Sequence, residues 1–298
     1  MKLATTTCDF KRYLDNDCDR IQELYNAGFR YIDLDMGFDE NSPYMQDKWK
    51  EEADKIKVLA KKLKMEFVQA HAPGHINPLD KNAERVDLLV KLTNRSIELC
   101  GYLGIKNTVV HNGEDQNLTK EEWEKANKDF YLRILPTAER CGVNILCENS
   151  AKCNIQGHFV NTAKDMLDFI KFVDHKNVHA CWDIGHGNAE GVDQYEQITT
   201  LGKELYAIHY HDNFGRWDEH HAPFRGIVNH DQILCAIRDA NYKGYFTFES
   251  CLMFFRSRRP FDKYESKLTP QIFMQRKIEE LIYQTGVYML KQYDMFEE

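Results

Sequence analysis

The chain of 298 residues is 43% hydrophobic and 29% charged, the make-up of an ordinary globular protein, which excludes disordered and collagen-like classes. A net charge of −8 leaves no surplus of Lys and Arg to neutralise a phosphate backbone, which argues against a dedicated nucleic-acid binder. No apolar run is longer than that from Cys251 to Phe255, far shorter than the roughly 20 residues that cross a bilayer, so no membrane partner is expected.

The N-terminal MKLATTTCDF lacks the apolar stretch of a signal peptide, and nine cysteines without tight spacing suit a reducing compartment, so a cytoplasmic protein is expected. Short apolar or β-branched runs recur at residues 3–7, 31–36, 67–71, 108–111, 144–147, 178–182, 206–211 and 245–249. Between them lie stretches of helical periodicity. Trp49, Ala53, Ile56, Ala60 and Leu63 share one face, and Val86, Leu89, Val90, Thr93, Ile97 and Cys100 share the next. Trp123, Ala126, Phe130, Ile134, Thr137 and Cys141 make a third stripe, which Pro136 is expected to bend. Met166, Phe169, Ile170 and Val173 follow Thr162 and Asp165 at capping-box spacing. Shorter helices are predicted around 195–201 and 232–240, and a last long one carries Ile278, Leu281, Ile282, Thr285 and Met289. Eight βα units without a linker predict an α/β fold, a single (β/α)8 TIM barrel forming one domain over residues 1–298.

The polar residues able to do chemistry fall at the C-terminal ends of the predicted strands. They are His71 of QAHAP, His111 of VVHNG, Glu148 of LCENS, Asp183 and His186 of CWDIGH, His209 and His211 of HYHDN, and Glu249 of FTFES. Barrel closure brings those ends around one mouth. Carboxylates and imidazoles without a thiolate suit a divalent metal ion such as Mn²⁺, Zn²⁺ or Co²⁺. Such an ion either polarises a carbonyl or activates water. A carboxylate at the end of a buried strand also needs a partner to offset its desolvation, which favours a metal role for Glu148 and Asp183. Asp33 and Asp35 could reach the mouth from the second strand, whereas Cys147 and Cys181 read as small core residues.

The order HAP, VVH, EN, D-x-G-H, H-x-x-D-N and F-x-E resembles the xylose isomerase-like TIM-barrel superfamily from about residue 3 to 255. That superfamily holds sugar and sugar-phosphate isomerases and epimerases together with endonuclease IV. The resemblance implies metal ligands at Glu148, Asp183, His209 and Glu249. His209 is preferred to His211 because Asp212 follows it by three. It implies Glu148 and Glu249 as the catalytic acid/base pair on opposite sides of a bound ketose. His71, His111, His186, His211, Arg216 and His220 are the candidate substrate-binding residues. The implied activity is a divalent-metal-dependent sugar or sugar-phosphate isomerase or epimerase, working by proton transfer through a metal-stabilised enediolate on a small-molecule sugar.

The loop GRWDEHHAPFRG supports an alternative, an endonuclease IV-like multi-zinc phosphodiesterase (AP endonuclease). There His71, His111, Glu148, Asp183, His186, His209, Asp218, His220 and Glu249 would hold up to three ions. Against it, HAPGHINP only partly resembles a DNA-recognition loop, and WKEEADKIK lacks the Arg and aromatic residues of a duplex-bending surface. A non-catalytic sugar-binding role is opposed by the intact carboxylate pair. The run Arg256–Arg259 follows the eighth strand, where phosphate groups often bind in such barrels. Barrels of this superfamily are often dimers or tetramers, so a homo-oligomer is left open.

Overall fold

Parallel strands need both faces covered, and a closed ring with helices outside and side chains inside satisfies every strand at once. The computed structural model describes residues 1–153, 156–250 and 271–298, and within them the ring closes. In chain order the elements are β1 (Leu3–Thr6), α1 (Asp17–Asn26), β2 (Tyr31–Asp35), α2 (Trp49–Leu63), β3 (Glu66–His71), α3 (Ala83–Leu103), β4 (Asn107–Val109) and α4 (Lys120–Cys141). There follow β5 (Asn144–Glu148), α5 (Ala163–Val173), β6 (Val178–Asp183), α6 (Ile184–Glu190), α7 (Gln194–Leu201), β7 (Leu205–Tyr210), α8 (His230–Asp239), β8 (Phe246–Phe248) and α9 (Ile272–Gln292). Each strand runs parallel to the next, and β8 returns to β1 with Ala4 opposite Thr247. This is the predicted (β/α)8 TIM barrel.

All eight predicted strands form, with shifted ends: β4 stops at Val109, so His111 lies two residues beyond it. The helix stripes also form. Thr162 caps α5, accepting from the Asp165 N–H, and α4 continues through Pro136 to Cys141. Two helices were not anticipated. α1 buries only Ile21, Glu23 and Leu24, too few apolar positions to mark a stripe. α6 carries Gly185 and Gly187, poor helix formers, and starts because Asp183 caps it.

Strand alternation sends Ile32, Ile145, Trp182, Ile208 and Phe248 outward into the helix-packed core, where all are fully buried. Val109, Leu146, Cys181 and Ala207 form a separate apolar group. Two register shifts interrupt the ladder. Ile32 pairs with Phe67 but Asp33 with Gln69, and Ala180 pairs with Leu205 but Cys181 with Ala207. An extra residue in one strand resets which side chains face each other. Beyond the shifts Asp33 lies opposite Gln69 and Asp183 opposite His209. Among the described residues no helix is long and apolar enough to cross a membrane. Arg256–Arg259 lie outside the described residues.

Candidate metal centre

Glu148 ends β5, Asp183 ends β6, His209 is the penultimate residue of β7 and Glu249 follows β8. Each offers one donor atom within 4.8 Å of the others. His209 Nδ1 is 2.5 Å from Glu148 Oε1 and 3.3 Å from Glu249 Oε1. Asp183 is fixed by its neighbours. Its backbone N–H donates to Asn149 Oδ1 at 2.6 Å, and its carbonyl accepts from Asn149 Nδ2 at 2.9 Å. Its Oδ1 caps α6 by accepting from the His186 N–H at 2.6 Å, while Oδ2 is buried without a hydrogen-bond partner.

Burial opposes charge on every group here, and the neighbours decide the outcome. Burial disfavours ionised Glu148, but the charge of His209 and hydrogen bonds from His111 and His209 outweigh it and hold the carboxyl well below its usual range. Asp183 is lowered in the same way, its burial outweighed by His186 and His211. Glu249 goes the other way: burial and, among its neighbours, the repulsion of Glu148 keep its carboxyl well above the ordinary value. Three acids and one imidazole in contact therefore hold more negative charge than the imidazole alone balances. A divalent cation fits this donor set, with Asp183 Oδ2 as a buried oxygen still open to it.

Two more donor groups flank the first. His71 Nε2 is 3.1 Å from His111 Nε2, which is 2.9 Å from Glu148 Oε2. On the other side His211 Nε2 lies 3.2 Å from both Asp183 Oδ1 and Asp218 Oδ1, and His220 Nε2 lies 3.1 Å from Asp218. His186 donates through Nδ1 to the Asn149 carbonyl at 2.8 Å, which leaves Nε2 facing Asp218 Oδ2 at 3.4 Å. Burial opposes a charge on His220, yet Asp218 pushes its imidazole up to about 10. His220 also adopts a left-handed φ of 46° and donates to the Glu249 carbonyl at 2.7 Å, tying the β7–α8 loop to the end of β8. That loop is closed by Asp212, whose carboxylate accepts from the N–H groups of Gly226 and Val228. Gly185 matters for the same reason: a Cβ there would lie 1.8 Å from His211 Cε1.

A cavity of about 660 Å³ opens over these groups, walled by His71, His111, Glu148, His186, Asp218, His220 and Glu249. Asp183, His209 and His211 lie beneath that wall, each fully buried. Arg216 is exposed on the β7–α8 loop and is not on the cavity wall. Asp35 is on the wall, ion-paired to Lys11 at 2.7 Å, and Asp33 is buried against His209. Sequence reasoning missed Gln69 and Asn149. The signal for Gln69 was its place two residues before His71, on the same strand face. Cys181 Sγ comes within donor reach of Glu148 and His209, but burial pushes its thiol up to about 12, so it packs as a neutral side chain.

Residues 21–256 match the family model described as xylose isomerase-like TIM barrel. The chain belongs to that family. Among its relatives, an uncharacterised protein of Methanocaldococcus jannaschii is 29% identical over 189 residues, covering 61% of this chain and 64% of that one. The D-psicose 3-epimerase of Ruminiclostridium cellulolyticum is 30% identical over 130 residues, 44% of this chain and 42% of the epimerase. The matched stretch thus spans less than two thirds of either of these curated relatives. Among solved structures, an IolI protein with a bound zinc atom superposes on all of this chain and all of its own, at a TM-score of 0.74 and 18% identity, a likeness of fold.

Proposed function

We propose that the protein is a divalent-metal-dependent sugar or sugar-phosphate isomerase or epimerase, acting by proton transfer beside a carbonyl. The observation that carries this reading is the pair Glu148 and Glu249, which reach the same cavity from different strands and share His209 as a neighbour. The name of the epimerase relative and the zinc in the IolI structure support it. Glu148, Asp183, His209 and Glu249 would hold the ion. When bound, a divalent ion supplies Lewis-acid stabilisation of the negative charge that develops on the substrate's carbonyl oxygen. One glutamate takes the proton from the carbon next to the carbonyl, and the other, already protonated, gives a proton of its own to the opposite face. His186 and His220 line the cavity with one ring nitrogen each turned to Asp218, His71 and His111 line it beside Glu148, and these four would meet the substrate's hydroxyls. His211, buried below, braces Asp218. Arg216 is left for substrate groups that project past the rim. The substrate is a small sugar, and the protein a cytoplasmic one.

The test is incubation of the purified protein with Mn²⁺, Co²⁺ or Zn²⁺ and a panel of ketoses and ketose phosphates in deuterated solvent. Deuterium should enter the carbon next to the carbonyl, and Glu249→Gln should abolish this. No exchange with any metal or ketose would overturn the proposal.

A specific observation favours a second reading. The nine side chains named for the endonuclease-like alternative, together with His211, fall into overlapping donor groups on both sides of the central one, which would suit more than one ion. Three ions per chain, nicking of an abasic-site duplex and no ketose exchange would establish that reading. One ion per chain with exchange establishes the first, which the net charge of −8 already favours.

A further inference from the structure

We infer that Asp33 and Gln69 are positioning residues for His209, a buried carboxylate and amide that hold the ring so that its Nδ1 faces the metal position. The inference rests on the metal-centre reading above.

The starting point is cost. Asp33 is fully buried, on a barrel whose other strands carry the buried apolar group Val109, Leu146, Cys181 and Ala207. An unpaired carboxylate there is expensive, so what it touches matters. Its Oδ2 accepts from Gln69 Nε2 at 2.8 Å and lies 3.3 Å from His209 Nε2, while Gln69 Nε2 is 2.6 Å from the same ring nitrogen. The three side chains form a closed triangle on one edge of the ring. The opposite edge, Nδ1, faces Glu148 and Glu249.

The backbone supports this geometry. Side chains on neighbouring parallel strands face one another only in register, and the β2–β3 ladder shifts by one residue at Asp33. Without that shift Asp33 would pair with Val68, and Gln69 would be carried to the other face. The bulge therefore serves the Asp33–Gln69 contact directly.

The ring chemistry gives the pair its role. An imidazole that ligates through Nδ1 must carry its proton on Nε2, and that proton needs an acceptor. Asp33 is the acceptor in place. With the proton on Nδ1 instead, the ring donates to Glu148 and Nε2 accepts from the Gln69 amide. The Gln69 amide donates to Asp33 and holds that carboxylate against the ring, so Gln69 fixes Asp33 while Asp33 selects the ligating form.

The experiment strips the full-length protein with a chelator and titrates it with Zn²⁺ against a chromophoric competitor, for wild type, Asp33→Asn, Gln69→Met and Asp35→Asn. Asp35 controls for charge alone, because it is an acid on the same strand with its own partner in Lys11. Asp33→Asn should weaken zinc binding by about tenfold to a hundredfold, Gln69→Met by less, and Asp35→Asn by no more than about twofold. In histidine-labelled, zinc-loaded wild type, NMR should show one imidazole whose Nε2–H exchanges slowly, and Asp33→Asn should speed that exchange. Thermal unfolding of the zinc-free proteins checks folding, and Gln69→Met keeps the question open to a result if Asp33→Asn fails to fold. Unchanged zinc affinity in both Asp33→Asn and Gln69→Met, or an equal loss in Asp35→Asn, would overturn the inference alone. Wild type that binds no ion would overturn the metal-centre reading and this inference with it.

Discussion

Two groups of buried and half-buried acids lie in this barrel, and they solve the same electrostatic problem differently. In the first, Glu148, Asp183 and Asp218 are interleaved with His111, His186, His209, His211 and His220, and all three acids are held below their ordinary values despite burial. In the second, Asp9 and Glu279 are buried neighbours where α9 packs near β1, each with one carboxyl oxygen that no donor reaches. Thr5 donates to Asp9 at 2.7 Å and Gln275 to Glu279 at 2.9 Å, and among the described residues no cation pairs with either. Burial there raises the Glu279 carboxyl well above its ordinary value and pushes Asp9 up to about 7. Glu148, Asp183 and Asp218 stay charged among imidazoles and can hold a cation, whereas Glu249, beside Glu148, is raised. Acids among hydroxyls and amides keep a proton and act as an internal fastener.

Breaking the metal centre, where Glu249 joins Glu148 and Asp183 of the first group, should have the largest effect. Glu249→Gln is expected to lower the rate of proton exchange into a ketose by about a thousandfold, read by mass spectrometry in deuterated solvent, with the fold intact by circular dichroism. Removing a carboxylate from the second group should change stability instead of chemistry. The folded chain keeps a proton on Asp9 up to about pH 7, whereas an unfolded Asp loses it near 3.8. The pair's contribution is therefore complete below about pH 4 and is lost as pH rises toward and past 7, by on the order of 4 kcal/mol. Urea unfolding at a series of pH values should show this slope in wild type and a shallower one in Glu279→Gln. A parallel slope in both proteins would mean that Glu279 does not take up a proton on folding.

Gly185→Ala tests the packing under the first group. The added methyl overlaps the His211 ring, and a loss of about 3 kcal/mol in unfolding free energy is expected. Zinc at a hundred times its dissociation constant should raise the stability of wild type by about 2.7 kcal/mol, and Asp183→Asn should remove most of that gain. The smallest expected effect is that of Thr5→Val, about 1 kcal/mol, from the lost hydrogen bond to Asp9. If Thr5→Val costs nothing, the hydroxyl is not holding the second group in place.

Much of the barrel was legible in the chain. The helix stripes at Trp49–Leu63 and Trp123–Cys141 and the eight apolar runs announce their elements, because periodicity is a local property. The donor residues were legible for a related reason, since polar groups at the ends of apolar strands stand out. α6 was not legible, because Gly185 and Gly187 conceal a helix that exists through its Asp183 cap and through Gln194, which bonds Trp182 Nε1 and the Ile184 carbonyl. Arg216 read as a site residue from its place in the loop, yet the loop's path, set by Asp212 and His220, leaves it exposed and off the cavity wall.

The sequence by itself determined the alternation of strand and helix, the end of each strand at which chemistry is placed and the kinds of donor available. Only the tertiary structure decided that Asp33 meets His209 and that Asp9 meets Glu279, residues 176 and 270 positions apart in the chain. The physical reason is that periodicity acts within a few residues, whereas these contacts depend on ring closure, on one-residue shifts in strand register and on where the last helix docks. Each is settled by packing across the whole molecule.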